Sequence, residues 1–206
     1  MSVAQRERAA LVQSMRETGP DHPTLCGEWT NRELAAHLVV RERRLDAGPG
    51  ILIPKLAGYT ERVTRQVAAE TDWNDLLQKI ASGPPVFSPF KLLDPLINVA
   101  EMFIHHEDVR RTVDGWEPRP LDDATTAALT RQVSVMSRVA LKADARVALR
   151  TPEGKTLATI GRGPSAVLTG APGELLVYIS GREQARVELS GDDAAVAAVR
   201  GGRAGL

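Results

Sequence analysis

The sequence predicts an α+β protein, with a helical part over about residues 1–143 and a smaller α/β part over about 144–206. Up to about residue 143, apolar residues recur at three- and four-residue spacing between capping signals, the mark of amphipathic helices. From about residue 144 the period shortens: ARVALRT and KTLATIG flank Pro152-Glu153-Gly154, a hairpin signal. The chain of 206 residues is 43% hydrophobic but only 4% aromatic, so its core is built from Leu, Val, Ile and Ala, in one large domain or two small ones.

Charge narrows the function classes. Lysine plus arginine and aspartate plus glutamate number 26 each, so no basic excess points to nucleic acid and no like-charge run points to a disordered tail. The opening MSVAQRERAALVQSMRETG carries charges where a signal peptide is apolar, and no stretch approaches the roughly 18 uncharged apolar residues of a membrane span. A single cysteine, Cys26, forms no intramolecular disulfide, so a reducing cytoplasm is the expected location. The oligomeric state stays open between monomer and homodimer.

Taken in order, Ser2 and Gln5 form a capping box for a first helix with Ala4, Leu11, Val12 and Met15 on one side, stopped by Gly19-Pro20. A loop follows, and Thr30 with Glu33 caps a second helix on which Leu34, His37, Leu38, Arg41 and Leu45 share a face. Gly48-Pro49-Gly50 breaks it. Residues 51–70 form a third helix with Leu56, Tyr59, Val63 and Val67 on one side, and Thr71 or Asp72 caps a short fourth carrying Trp73, Leu76, Leu77 and Ile80. Gly83-Pro84-Pro85 and Pro89 impose an irregular crossing.

The next stretch, DPLINVAEMFIHHEDVRRTVDG, reads as one helix with Asp94 as N-cap, Pro95 at the first helical position and Gly115 at C′. Asp123 to about Lys142 form a further helix through Leu129, Val133, Met136 and Ala140. In the C-terminal part, SAVLTG and ARVELSG are strand candidates, PGELLVYISG a short helix, and Asp192 the cap of a last one.

The chemistry lies on the helix after Asp94. Ile97, Ala100, Glu101, Ile104, His105 and Asp108 fall on its apolar stripe, and ionisable groups on a buried face need partners or a metal. Glu101 and His105 are four apart, so both side chains point the same way and can hold one divalent ion. A third ligand must come from elsewhere. His37 is the candidate, because its helical neighbours are apolar and two facing helices commonly build such sites. From spacing alone this reading and its plain counterpart, a core histidine beside a surface Glu–His pair, carry equal weight. His106 sits about 100° around the helix and reads as a supporting or surface residue. Asp108 can orient an imidazole or pair with Arg111 or Arg41. Glu107 is expected to face solvent.

Other motifs fail. His106-Glu107 has Arg110 where HExxH requires histidine, and Gly161-Arg-Gly163-Pro-Ser-Ala166 leads into a strand, so it is a turn and not a phosphate loop. Cys26 reads as a buried structural thiol rather than a nucleophile. Arg182 follows a helix and either meets an anionic ligand or is a solvated charge.

LCGEWTNRELAAHLVVRE and NVAEMFIHHEDVRR resemble the two signature stretches of the mycothiol-dependent maleylpyruvate isomerase superfamily, part of the wider DinB-like metal-binding group. GPPVFSPF before the second stretch and GWEPRPLD after it resemble an uncharacterised actinobacterial branch. The resemblance extends over nearly the whole chain, to GELLVYISGR. It implies an N-terminal DinB-like four-helix bundle binding a divalent metal, usually zinc, through His37, Glu101 and His105. It also implies a sterol-carrier-like C-terminal domain lending an arginine, here Arg182, to the active-site cleft.

Two functions stay open. Three protein ligands leave a coordination position vacant, as catalytic zinc sites do; with mycothiol as the thiol the resemblance implies, the protein is a thiol-activating transferase or isomerase acting on a small molecule. The other reading is a non-catalytic metal- or ligand-binding module for sensing or assembly, in which His106, Asp108 or Cys26 closes the site. Two histidines and a carboxylate suit zinc, and also nickel, iron or manganese.

Overall fold

A computed structural model describes residues 1–47, 53–85 and 89–203, with the side chains of Pro54 and residues 89–97 outside the description. The break expected at Gly48-Pro49-Gly50 and the crossing residues 86–88 lie outside it. The chain is a mixed α+β protein dividing into two compact units, Met1–Trp116 and Glu117–Leu206.

The first unit holds five α-helices among its described residues: α1 (Val3–Thr18), α2 (Asn31–Arg43), α3 (Ala57–Glu70), α4 (Trp73–Ala81) and α5 (Pro89–Arg110). Both expected capping boxes form, Ser2 with Gln5 on α1 and Thr30 with Glu33 on α2, and Asp72 caps α4. These caps satisfy amide groups that the first helical turn leaves without partners. Gly19 takes a left-handed φ of 86° at the end of α1. α1 packs along α5, and α2 packs against α3 and α4. Leu11, Val12 and Met15 of α1, Leu34, Leu38 and Val39 of α2, Leu76, Leu77 and Ile80 of α4, and Met102 and Val109 of α5 form one buried cluster.

Three expectations differ in detail. α2 ends at Arg43, so Leu45 leaves the stripe and is exposed. A 3-10 turn at Pro54–Leu56 precedes α3, which buries Thr60, Val63, Thr64 and Ala68 while Leu56 and Tyr59 face solvent. α5 starts at Pro89 and ends at Arg110, so Asp94 and Pro95 lie within it, and Gly115, with φ 76°, belongs to the turn beyond. Proline at a first helical position costs nothing, since its missing N–H has no partner there. That lets the helix begin at Pro89.

The second unit combines α6 (Asp123–Ala140), α7 (Pro172–Ile179) and α8 (Asp193–Gly201) with strands β1 (Arg146–Arg150), β2 (Thr156–Ile160), β3 (Ser165–Thr169) and β4 (Glu188–Gly191). The sheet order is β2-β1-β3-β4, with β1 antiparallel to β2 and parallel to β3, and β4 antiparallel to β3. Val147 and Leu149 of β1 and Ala166 and Leu168 of β3 alternate into the core. α7 is buried along its whole length, and α6 packs on α7 and β2. The change of period near residue 143 therefore falls inside this unit, after α6. Gly161 and Gly163 have φ of 70° and 103°, so the GxGxxA-like stretch is a turn into β3. Asp192 stands at the N-cap of α8 but turns its carboxylate to the Ser165 amide, 2.7 Å away.

Candidate metal centre

α2 contributes His37 and Arg41, one turn apart, and α5 contributes Asn98, Glu101, His105 and Asp108 at spacings of three, four and three. These spacings put each set on one helix face. The Nε2 atoms of His37 and His105 stand 3.6 and 3.4 Å from the same Glu101 oxygen, Oε1. Ligand atoms of the three residues all lie within 4.8 Å of one another. The imidazole centroids are 5.6 Å apart, and Trp29 packs against His37 at 5.3 Å. Side-chain exposures of 14%, 24% and 8% for His37, Glu101 and His105 place the cluster in a partly covered position, reachable from solvent on the Glu101 side.

Neighbouring groups set the protonation states. Arg41 Nε lies 3.2 Å from Glu101 Oε1, and Arg41 Nη1 donates to Asn98 Oδ1 at 2.7 Å. Burial pushes the Glu101 carboxyl up, but Arg41 and the two histidines outweigh it and hold it well below the usual carboxylate range. Burial pulls the His37 imidazole down. Burial also works against a charged His105, yet its hydrogen bonds to Asp108, Cys26 and Glu101 prevail and raise it well above the ordinary value.

Asp108 and Cys26 meet the other edge of His105. Asp108 Oδ2 is 2.9 Å from Nδ1, and the Cys26 thiol donates to that oxygen at 3.0 Å and lies 3.7 Å from Nδ1. Cys26, His105 and Asp108 form a second group with the spacing of metal ligands. The two groups share His105 through opposite ring nitrogens, so an ion at Nε2 is out of reach of Cys26 and Asp108. The loop bearing Cys26 is pinned to α5 by the Leu25 amide, which donates to the Asp108 carbonyl at 3.1 Å. Cys26 is partly exposed rather than buried, and its thiol is held by Asp108.

His106 faces α1, with Nε2 3.0 Å from Ser14 Oγ and Nδ1 3.4 Å from Glu7 Oε2. Glu107 is fully buried instead of solvent-facing: Arg111 and Arg110 donate to it at 2.6 and 2.9 Å. Two cations within its reach offset the desolvation of the carboxylate. Arg182, in the second unit, is buried and donates from Nη1 to the Ser180 carbonyl at 2.6 Å. Spacing alone does not single out Arg41 or Asn98 as site residues. For Asn98 the signal is polarity together with spacing, since Asn98-Glu101-His105-Asp108 run along one face.

The donor set fits a divalent ion. A neutral imidazole offers one lone pair, and with Nδ1–H of His105 directed at Asp108 that lone pair is on Nε2, toward Glu101. His37 is held neutral and Glu101 ionised by their surroundings.

No family model matches the chain, and no curated protein sequence matches it. Among solved structures it is similar to the crystal structure of the mycothiol-dependent maleylpyruvate isomerase, with a TM-score of 0.53 and 11% identity over 92% of this chain and 91% of that one. At this identity the likeness is one of fold. Among the described residues no helix is long and apolar enough to cross a membrane.

Proposed function

We propose that this protein binds a divalent metal, zinc by preference, through His37, Glu101 and His105, and activates a small-molecule thiol, mycothiol, for transfer to or isomerisation of a small-molecule substrate. The observation that supports it best is the convergence of two imidazole Nε2 atoms on one ionised glutamate oxygen. Such a bound ion supplies Lewis acidity, lowering the pKa of a coordinated thiol or polarising a carbonyl. The chain's own part is to present the ligands. Asp108 fixes the tautomer of His105, burial keeps His37 unprotonated, and Arg41 with Asn98 orients Glu101.

Three protein ligands leave a position for the thiol. Two observations support that open position: Asp108 and Cys26 lie on the Nδ1 side of His105, and His106 faces Ser14 and Glu7. In this reading residues 1–143 act as a DinB-like helix bundle and residues 144–206 as a sterol-carrier-like domain, in the cytoplasm, as a monomer or homodimer. Arg182 enters through the resemblance alone, as the group that meets an anionic substrate.

Metal analysis of protein purified without chelator or nickel resin tests the site. One ion per chain is expected, and His37→Ala, Glu101→Ala and His105→Ala should each lose most of it. Full stoichiometry in all three variants rules the assignment out. A second reading, a non-catalytic sensing or assembly module, is favoured by the Cys26, His105 and Asp108 convergence. In that case Cys26→Ala loses the metal while His37→Ala keeps it.

A further inference from the structure

We infer that Arg41, braced by Asn98, is a positioning residue for Glu101, and that its charge makes the open coordination position take an anion in preference to a neutral ligand. The inference rests on the metal-site reading above. Arg41 is buried, with 6% side-chain exposure, and Asn98 is fully buried one turn before Glu101 on α5. The guanidinium therefore sits in a medium where charge is weakly screened. Its Nε is 3.2 Å from Oε1 of Glu101, the oxygen that both Nε2 atoms approach. The Arg41 Nη1 to Asn98 Oδ1 bond, at 2.7 Å, ties that arrangement to the α5 backbone from the same helix face.

The charge count gives the consequence. Two neutral imidazoles add nothing, Glu101 and the Asp108 carboxylate bonded to His105 Nδ1 each carry one negative charge, and Arg41 carries one positive charge. Those two carboxylates alone would cancel a divalent ion's charge; with Arg41 in place one positive charge remains for the fourth ligand. A thiolate or carboxylate is then favoured over water or a neutral amine. Arg41 also shares Oε1 with the ligand set, so it limits how far the carboxylate can swing. The same stripe that holds the metal ligands thus carries a built-in preference for the form of the co-substrate.

The test uses the full-length protein loaded with Co²⁺, with azide as the anionic probe and imidazole as the neutral one, each followed by the visible absorption of the cobalt. Wild type is expected to bind one Co²⁺ and then azide. Arg41→Gln should retain the cobalt, weaken azide by about tenfold or more, and leave imidazole binding within about twofold. Arg41→Lys, which keeps the charge, should recover most of the azide affinity, a rescue that a purely structural role would not show. Should Arg41→Gln not fold, Asn98→Ala, which only loosens the guanidinium, should weaken azide a few-fold. Azide binding of wild-type strength in the folded Gln or Ala variant overturns the inference while leaving the metal site intact. Failure of the wild type to take up Co²⁺ overturns the metal-site reading and this inference with it.

Discussion

His105 Nδ1 stands 2.9 Å from Asp108 Oδ2, one turn along the same helix, and that oxygen also receives the Cys26 thiol at 3.0 Å. One carboxylate therefore connects the loop after α1 to the imidazole whose opposite nitrogen faces Glu101 and His37. Hydrogen bonds of this kind fix which nitrogen of a histidine is the acceptor, and with it the direction in which a metal can bind.

Asp108→Asn should keep the fold, read by circular dichroism, and lower metal affinity about 10- to 100-fold, because an amide no longer stabilises the same tautomer and orientation. Competition against a chromophoric chelator measures it. Affinity unchanged from wild type would show that Asp108 does not orient a ligand.

The pH dependence follows from His105. In the metal-free protein its pKa lies well above 6.5, so near pH 7 it is protonated, and an ion binding at Nε2 must displace that proton. Calorimetry in two buffers of different ionisation enthalpy should show about one proton released per ion near pH 7. Affinity should fall about tenfold per unit as pH drops below the His105 pKa. The signs for stability of the metal-free protein are separate. His105 contributes stability fully present below its unfolded value near 6.5 and lost as pH rises through the raised folded one. Glu101 contributes stability present above its unfolded value near 4.5 and lost as pH falls through the depressed one.

The two adjacent histidines should separate cleanly. His106→Gln should retain one metal per chain, since this side chain is engaged with Ser14 and Glu7 on α1, and should lower stability by about 1–3 kcal/mol in urea unfolding. Metal loss in this variant at full folding would place His106 in the site.

Arg8 bonds both Glu42 and the Ile80 carbonyl, the former at 2.9 Å from Nη1, tying α1 to α2 and α4. Glu42→Ala takes the carboxylate from the buried Arg8 guanidinium and should cost about 3–5 kcal/mol by chemical denaturation. Replacing both partners, as Arg8→Met with Glu42→Leu, should cost less than the single change, since the guanidinium leaves together with its carboxylate.

In the second unit, a Cβ at Gly161 would run into the Ala145 carbonyl at a φ of 70°. Gly161→Ala should therefore lower stability by more than about 1 kcal/mol. A thermal midpoint equal to wild type would contradict the fixed turn between β2 and β3.

Local signals were legible in the amino-acid order: the capping boxes at Ser2 and Thr30, the hairpin around Pro152-Glu153-Gly154, and the strand and helix candidates of the C-terminal part, with ARVELSG pairing only over Glu188–Gly191. They depend on contacts a few residues apart, so the chain alone carries them. The placement of Glu101, His105 and Asp108 on one face follows from helical spacing for the same reason. What spacing cannot decide is which neighbour a side chain meets. Only tertiary packing brings His37 to within 3.6 Å of Glu101, gives Arg41 to Glu101 and Asn98, buries Glu107 between two arginines, and turns His106 toward α1. These pairings join residues from different helices, or depend on what covers a helix face, and burial makes an unpaired charge costly enough that the fold must supply the partner.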